Sequence, residues 1–236
     1  MQLLPIKTRI INPPQDDLFE VFDEYLTDVQ EGDVVLVSSK IVAISEGRCI
    51  KGDDVDKDAL VRDEAVFLIE RDYWKSPITV MHNAFIGTSG IDESNTGGYL
   101  VFLPEDPFAS AKGIHAYLKK RFTLQNVGVI ITDSHSQPMR FGASGISVGF
   151  WGVAPIKDCR GETDLFGREM KIETANIIDG LAAGATVVMG EVAECQPVVI
   201  ARDVPDLVFT EEDMKDHLFV AFEEDTFRVL YEKYLK

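Results

Sequence analysis

The chain has 236 residues, 45% of them hydrophobic and 27% charged, which is long enough to bury a full core and ordinary in balance for a globular protein. Its formal net charge is −17, from 40 acidic and 23 basic residues. Nucleic acid and anionic membrane both need a basic footprint, so neither is expected as a partner.

The opening QLLPIKTRII reads as a strand closed by Pro13 and Pro14. In QDDLFEVFDEYLTDV, Leu18, Val21, Phe22, Tyr25 and Leu26 recur at helical spacing, with Asp16 and Asp17 placed in the first turn, where the helix dipole favours acids. GDVVLVSSKIVAISEGRCI gives a turn, a buried strand over 34–37, and a continuing strand or short helix to Ile44. The charged stretch 51–64 belongs to an exposed loop or helix. Residues 78–85 and 99–103 are expected strands around a long glycine-rich loop.

Asp106 before Pro107 marks a helix start. Ala111, Ile114 and Leu118 form its apolar stripe, and Lys119, Lys120 and Arg121 sit at its negative end. A buried strand over 127–132 then leads to Asp133, Ser134 and His135. GISVGFWGVAP is apolar and strand-like, ETANIIDGLAAGATVVMGE is a helix with small residues on one face, and QPVVIAR is a short strand. The last helix places Phe227, Leu230, Tyr231 and Tyr234 on one face. No repeat or linker interrupts the chain, so residues 1–236 are expected to form one domain, or two closely packed subdomains.

No apolar run reaches the ~20 residues that cross a bilayer. The start MQLLPIKTRI carries no small-residue cleavage site, and Cys49, Cys159 and Cys195 are few, far apart and outside zinc spacing. A reducing cytoplasm is the expected location.

There is no G-x-x-x-x-G-K-[ST] and no G-x-G-x-x-G, so neither a P-loop nor a Rossmann site is expected. Residues 145–149 match G-x-S-x-G, but that motif needs a helix after its turn, and here FWGVAP continues as strand. Ser147 is therefore read as ordinary strand sequence. The histidines, His82, His115, His135 and His217, include no i, i+4 pair, and zinc is not expected. His135 alone lies beside a candidate site, either functional or merely solvated. Oxygen ligands gather where strands meet loops: Asp92 in GTSGIDESN, Asp133 and Ser134 after a strand, and Glu191 after VVMG. Such a set suits the hard cations Mg2+ or Mn2+. Arg140, Arg160 and Arg168 come close to this set in sequence. Carboxylates, a divalent metal and arginines together suit phosphoryl transfer.

SGIDESN, LPEDPFASA, GVIITDS, RGETDLFGRE and VMGE, in that order, resemble the coenzyme F420-0:γ-glutamyl ligase family, from EGDVVLVSSKIV and SEGR to the terminal helix. Enzymes of that family join L-glutamate to a carboxylate by an amide bond, consuming a nucleoside triphosphate. The resemblance implies an α+β fold unrelated to the P-loop and ATP-grasp ligases, built as an intertwined homodimer with nucleotide near the subunit interface. It implies two divalent metals, Mg2+ or Mn2+, on Asp92, Asp133, Ser134 and Glu191. It also implies nucleotide contacts, with GTP or ATP, at Ser39, Lys40, Asn95 and the turn from Met189 and Gly190 to Gln196. The implied reaction runs through an acyl phosphate on the acceptor, which the glutamate amine then attacks. Arg140 and Arg168 are candidates for steadying phosphate or the glutamate carboxylate, or else for structural ion pairs.

Two departures bear on the substrates. Ile44 stands where the family carries a nucleotide-contacting lysine in SKIVSKAEGR, and KTRI, with Lys7, Thr8 and Arg9, replaces a GLP-type segment. Lys7, Thr8 and Arg9 are the expected compensating nucleotide contacts. The acceptor is expected to be F420-0, or a folate or other acidic small molecule as in bacterial-type folate-metabolism glutamate ligases. The competing readings are a nucleotide-binding protein of this fold without ligase activity and a metal-dependent phosphohydrolase.

Overall fold

In the computed structural model, which describes residues 1–73 and 75–234, the chain builds an α+β fold around one mixed sheet. Strand β1 (Gln2–Ile6), helix α1 (Leu18–Tyr25), strand β2 (Val34–Ser38) and helix α2 (Ser39–Ser45) come first. Short elements follow: β3 (Cys49–Lys51), α3 (Lys57–Glu64), β4 (Phe67–Ile69), β5 (Ile78–Met81), β6 (Ala84–Gly87) and β7 (Tyr99–Val101). The long helix α4 (Pro107–Phe122) leads to β8 (Gly128–Ser136), β9 (Ala143–Trp151), β10 (Ile156–Asp158) and β11 (Thr174–Asn176). Helix α5 (Ile177–Met189), β12 (Val198–Arg202) and the one-turn α6 (Arg228–Tyr231) complete the order.

The main sheet runs β1-β12-β2-β8-β9, with β2 and β8 parallel and the other pairs antiparallel. β2 sits in the middle and is buried on both faces, which is why its sequence is a continuous apolar run rather than an alternating one. Val35 and Val37 pack with Phe22 of α1, Ile41 of α2 and Ile114 of α4. Val34 and Leu36 pack on the other side with Ile178, Leu181 and Ala185 of α5. Each fully buried side chain of this size contributes roughly 1.5–3 kcal/mol. Close approach of helices to β9 depends on Gly145 and Gly149: a Cβ at Gly149 would lie 2.5 Å from the Pro107 carbonyl oxygen, and one at Gly145 would strike Ala182 and Thr186 of α5.

Helices α1, α3, α4 and α5 start where a short acid or amide caps them. Asp106 accepts the N–H groups of Phe108 and Ala109, both at 3.0 Å, and Asp17 accepts those of Phe19 and Glu20. At the far side of the sheet, Arg202 of β12 forks onto buried Asp33 at 2.9 and 2.8 Å, tying β12 to the entry of β2.

Several expected boundaries shift. The first strand stops at Ile6, because the N–H of Thr8 turns to the Cys195 carbonyl at 2.9 Å and leaves the sheet. Asp16 and Asp17 lie before α1, where Asp17 caps and Asp16 holds Arg9. The strand expected over 78–85 is a hairpin, turning at His82 and Asn83 with φ of 46° and 57°. β8 runs on to Ser136, so Asp133 and Ser134 lie within a paired strand rather than after one. The expected C-terminal helix is one turn plus a 3-10 turn; Tyr231 is buried against Phe67 and Phe85, while Phe227, Leu230 and Tyr234 are exposed. The 34–37 strand, the α4 stripe and the strand reading of Ser147 hold. Among the described residues no helix is long and apolar enough to cross a membrane.

Candidate active site

A cleft of about 540 Å3 opens where β2 and β8 end side by side. Parallel neighbours release their chains at the same edge, and loops leaving that edge are the usual place for a ligand in an α/β arrangement. β2 delivers Ser38 and, through α2, Lys40 and Ile44; β8 delivers Thr132, Asp133 and Ser134. The loop before β7 brings Asp92, Ser94 and Asn95. The turn after α5 brings Gly190, Glu191 and Glu194, and the segment after β1 brings Thr8 and Arg9.

The 92–95 loop is held by its own polar groups. Asp92 accepts the Ser94 N–H on Oδ1 at 2.7 Å and the Ser94 hydroxyl on Oδ2 at 2.9 Å, and Lys40 Nζ lies 2.7 Å from that same Oδ2. Burial alone would raise the Asp92 pKa; the Lys40 and Ser94 hydrogen bonds outweigh it and hold the group below the ordinary carboxylate range. Asn95 takes a left-handed φ of 56° and donates to the Val192 carbonyl at 2.6 Å, joining this loop to the turn after α5.

Asp133 is in the opposite condition. Burial, with the neighbouring Asp92 charge, pushes its pKa up to about 6, although the Ser134 N–H, the Ser39 hydroxyl and Lys40 pull the other way. Removing water from a carboxylate that faces a second carboxylate favours the proton. Arg9 lines the cleft but is already engaged, with Nη1 and Nη2 at 2.5 and 2.7 Å from Asp16. Ile10, Ile11, Ile41 and Ile44 make that end of the cleft apolar.

The cleft therefore gathers Thr8, Arg9, Lys40, Asp92, Asn95, Asp133, Ser134, Met189, Gly190 and Glu191, with buried Ser39 bonded to Asp133 just behind. Lys7 is exposed outside the lining. Arg140 and Arg168 are exposed on hairpin tips, away from the cleft, and neither forms a salt bridge among the described residues. His135 is half-buried on β8, with no hydrogen-bond partner for its Nδ1 among the described residues. Sequence reasoning passed over Ser94 and Glu194. The serine two residues after Asp92 is an Asx-turn signal that could have been read; Glu194 gives no comparable signal.

As arranged, no three carboxylate, imidazole or thiolate groups among the described residues converge closely enough to hold an ion, since Asp92 is turned to Lys40 and Asp133 to Ser39. The donor chemistry nevertheless fits a hard divalent cation: Asp92 and Asp133 are near enough for one charge to raise the other's pKa, and the remaining donors are oxygens.

Fold and cleft together define an α+β protein with a carboxylate-walled cleft at the parallel strand ends. The chain belongs to the F420-0:gamma-glutamyl ligase family, whose model matches residues 5–203. It is 36% identical over 231 residues to the coenzyme F420:L-glutamate ligase of Methanocaldococcus jannaschii, covering 91% of each chain. It is 34% identical over 216 residues to the ligase of the same name from Methanopyrus kandleri, covering 82% of this chain and 84% of that one. A Methanococcus maripaludis ligase of the same name is 33% identical, with 97% of each chain covered.

Proposed function

We propose that this chain is an L-glutamate ligase that consumes a nucleoside triphosphate, depends on divalent metal, and forms an amide bond to a carboxylate of an F420-type acceptor. The observation that carries this reading is the single cleft that unites Asp92, Asp133, Ser134 and Glu191 with Lys40 and Asn95, in a chain of this family.

The acceptor carboxylate attacks the γ-phosphorus, the nucleoside diphosphate leaves, and an acyl phosphate forms. The glutamate amine then attacks the acyl carbon, phosphate departs, and the amine proton is lost to solvent. Mg2+ or Mn2+, at two sites on Asp92, Asp133, Ser134 and Glu191, would neutralise the phosphate charge that those acids would otherwise repel. Lys40 fixes Asp92 and keeps an ammonium at the cleft wall, and Asn95 holds the 92–95 loop to the nucleotide turn. No side-chain nucleophile takes part.

The 137–142 tip, with Met139 and Phe141 wholly exposed, and the 159–173 hairpin, with Leu165 and Phe166 likewise, support a homodimer in which a second copy covers these tips. Arg140 and Arg168 ride on the same tips, so in such a dimer they would lie at the interface rather than in solvent.

The test is incubation with glutamate, Mg2+ or Mn2+, GTP or ATP, and F420-0 or a folate as acceptor. Mass spectrometry should find an acceptor carrying added glutamate, with phosphate released in step. Nucleotide hydrolysis without any glutamylated product would point instead to a phosphohydrolase.

A further inference from the structure

The turn after α5 already holds an anion, and it is the chain's own. Glu194 folds back so that its carboxylate accepts the Val192 N–H at 2.9 Å. The backbone of the same turn, the Val192 N–H first and then the amides of Glu194 and Ala193 beside it, keeps its pKa below the ordinary carboxylate value. Glu194 forms no salt bridge among the described residues, so these backbone groups are its countercharge. Gly190, with φ of 79°, lies directly beneath, and a Cβ there would strike the Glu194 carboxylate. Consecutive backbone N–H groups that converge in this way form an anion nest.

We infer that Glu194 is a placeholder in a nest built for a phosphoryl oxygen, and that it must swing out before a phosphate-bearing ligand can seat. The inference rests on the reading of this cleft as the site of a phosphate-bearing co-substrate. The nest can outlast the exchange, because its backbone is tied from both sides. Asn95 holds the Val192 carbonyl at 2.6 Å, and the Thr8 N–H holds the Cys195 carbonyl at 2.9 Å. Glu194 is exposed, so its departure asks only for a rotamer change and leaves bare backbone over Gly190. Departure also moves one negative charge away from the incoming anion, beside Asp92, Asp133 and Glu191. A site occupied by an internal competitor binds more weakly in proportion to the open fraction. Glu194 thereby works as an internal competitor that a weakly bound anion cannot displace.

The test uses inorganic phosphate alone, at constant ionic strength, titrated into 15N-labelled protein. In Glu194→Ala the amides of residues 192–194 should shift saturably, with phosphate affinity about tenfold or more above that of the unaltered protein, as expected if the nest is open about a tenth of the time or less. Glu194→Gln, which keeps the oxygen but not the charge, should fall between. Unchanged or weaker affinity in Glu194→Ala, or shifts confined to other amides, would overturn the inference. So would loss of the melting transition in Glu194→Ala, since the carboxylate would then be a structural cap. No turnover is read: a failed nest beside intact glutamyl transfer sinks only the placeholder, and a working nest without glutamylated product sinks only the ligase reading.

Discussion

Asp133, in the proposed metal site, is held in the cleft at a cost to the fold. Its pKa in the folded chain is raised to about 6, well above the value near 3.9 of an unfolded chain. A raised folded pKa gives stability that is complete below the unfolded value and is lost as pH rises through the folded one, so at pH 7 the ionised group destabilises the metal-free protein by about 2–3 kcal/mol. Asp133→Asn should therefore raise the midpoint of metal-free urea unfolding at pH 7, while lowering glutamyl transfer by about a hundredfold or more if it is the metal ligand proposed above. A variant that loses stability and activity together would argue that Asp133 is structural. In the proposed metal site the same carboxyl would have to give up its proton to bind Mg2+. Calorimetry in buffers of different ionisation heat should find proton release near pH 6 and weakening affinity below it, and neither in Asp133→Asn. At this scale the sequence was partly legible. An acid interrupting an apolar run marked Asp133, but the pairing of Lys40 with Asp92 and of Arg9 with Asp16 depends on loops converging in space, which no spacing in the chain encodes.

Elements were legible where burial imposes one pattern and obscure where pairing alone decides. β2 and α4 could be read because a two-faced central strand and a one-faced helix leave different periodicities. β8 was read too short: its apolar run ends at Thr132, yet β9 goes on pairing with it from Asp133 to Ser136 across polar residues. Hydrogen bonding to a neighbour extends a strand without leaving a hydrophobic trace. The terminal helix was read too long, because four large side chains at helical spacing suggested a buried face, and only Tyr231 finds one. β9 supplies the test at this scale. It lies so close to α4 that Gly149→Ala would place a methyl 2.5 Å from the Pro107 carbonyl oxygen, which is backbone and cannot rotate away. The substitution should cost about 1–3 kcal/mol, as overpacking does, and lower the urea midpoint with an unchanged slope. An alanine variant as stable as the parent would mean that α4 and β9 stand further apart than the contact implies.

At the scale of the whole molecule, exposed apolar tips and a large negative charge make opposing demands. Met139, Phe141, Leu165 and Phe166 stand free on two hairpins, and the proposed dimer would cover them. Met139→Ser with Phe141→Ser should shift the mass seen by light scattering from two chains to one, and a parent already monomeric at micromolar concentration would remove the proposal. The charge of −17 acts on the ligand. Asp92, Asp133, Glu191 and Glu194 face the cleft, while its cations, Lys40 and Arg9, are each already paired with an acid. A metal-free nucleoside triphosphate approaching this wall meets repulsion, and salt screens repulsion over a Debye length of about 8–10 Å near physiological strength. Its association rate should therefore rise with added salt, contrary to the usual behaviour of steered anion binding. With saturating Mg2+ the ions cancel much of the charge on both sides, and the dependence should flatten or reverse. Stopped-flow association of a fluorescent triphosphate between about 0.01 and 0.15 M salt, with and without Mg2+, separates the two regimes, because the Debye length falls from about 30 to 8 Å over that range. A metal-free rate that falls with salt would show that cations outside the cleft, rather than its carboxylates, govern the approach.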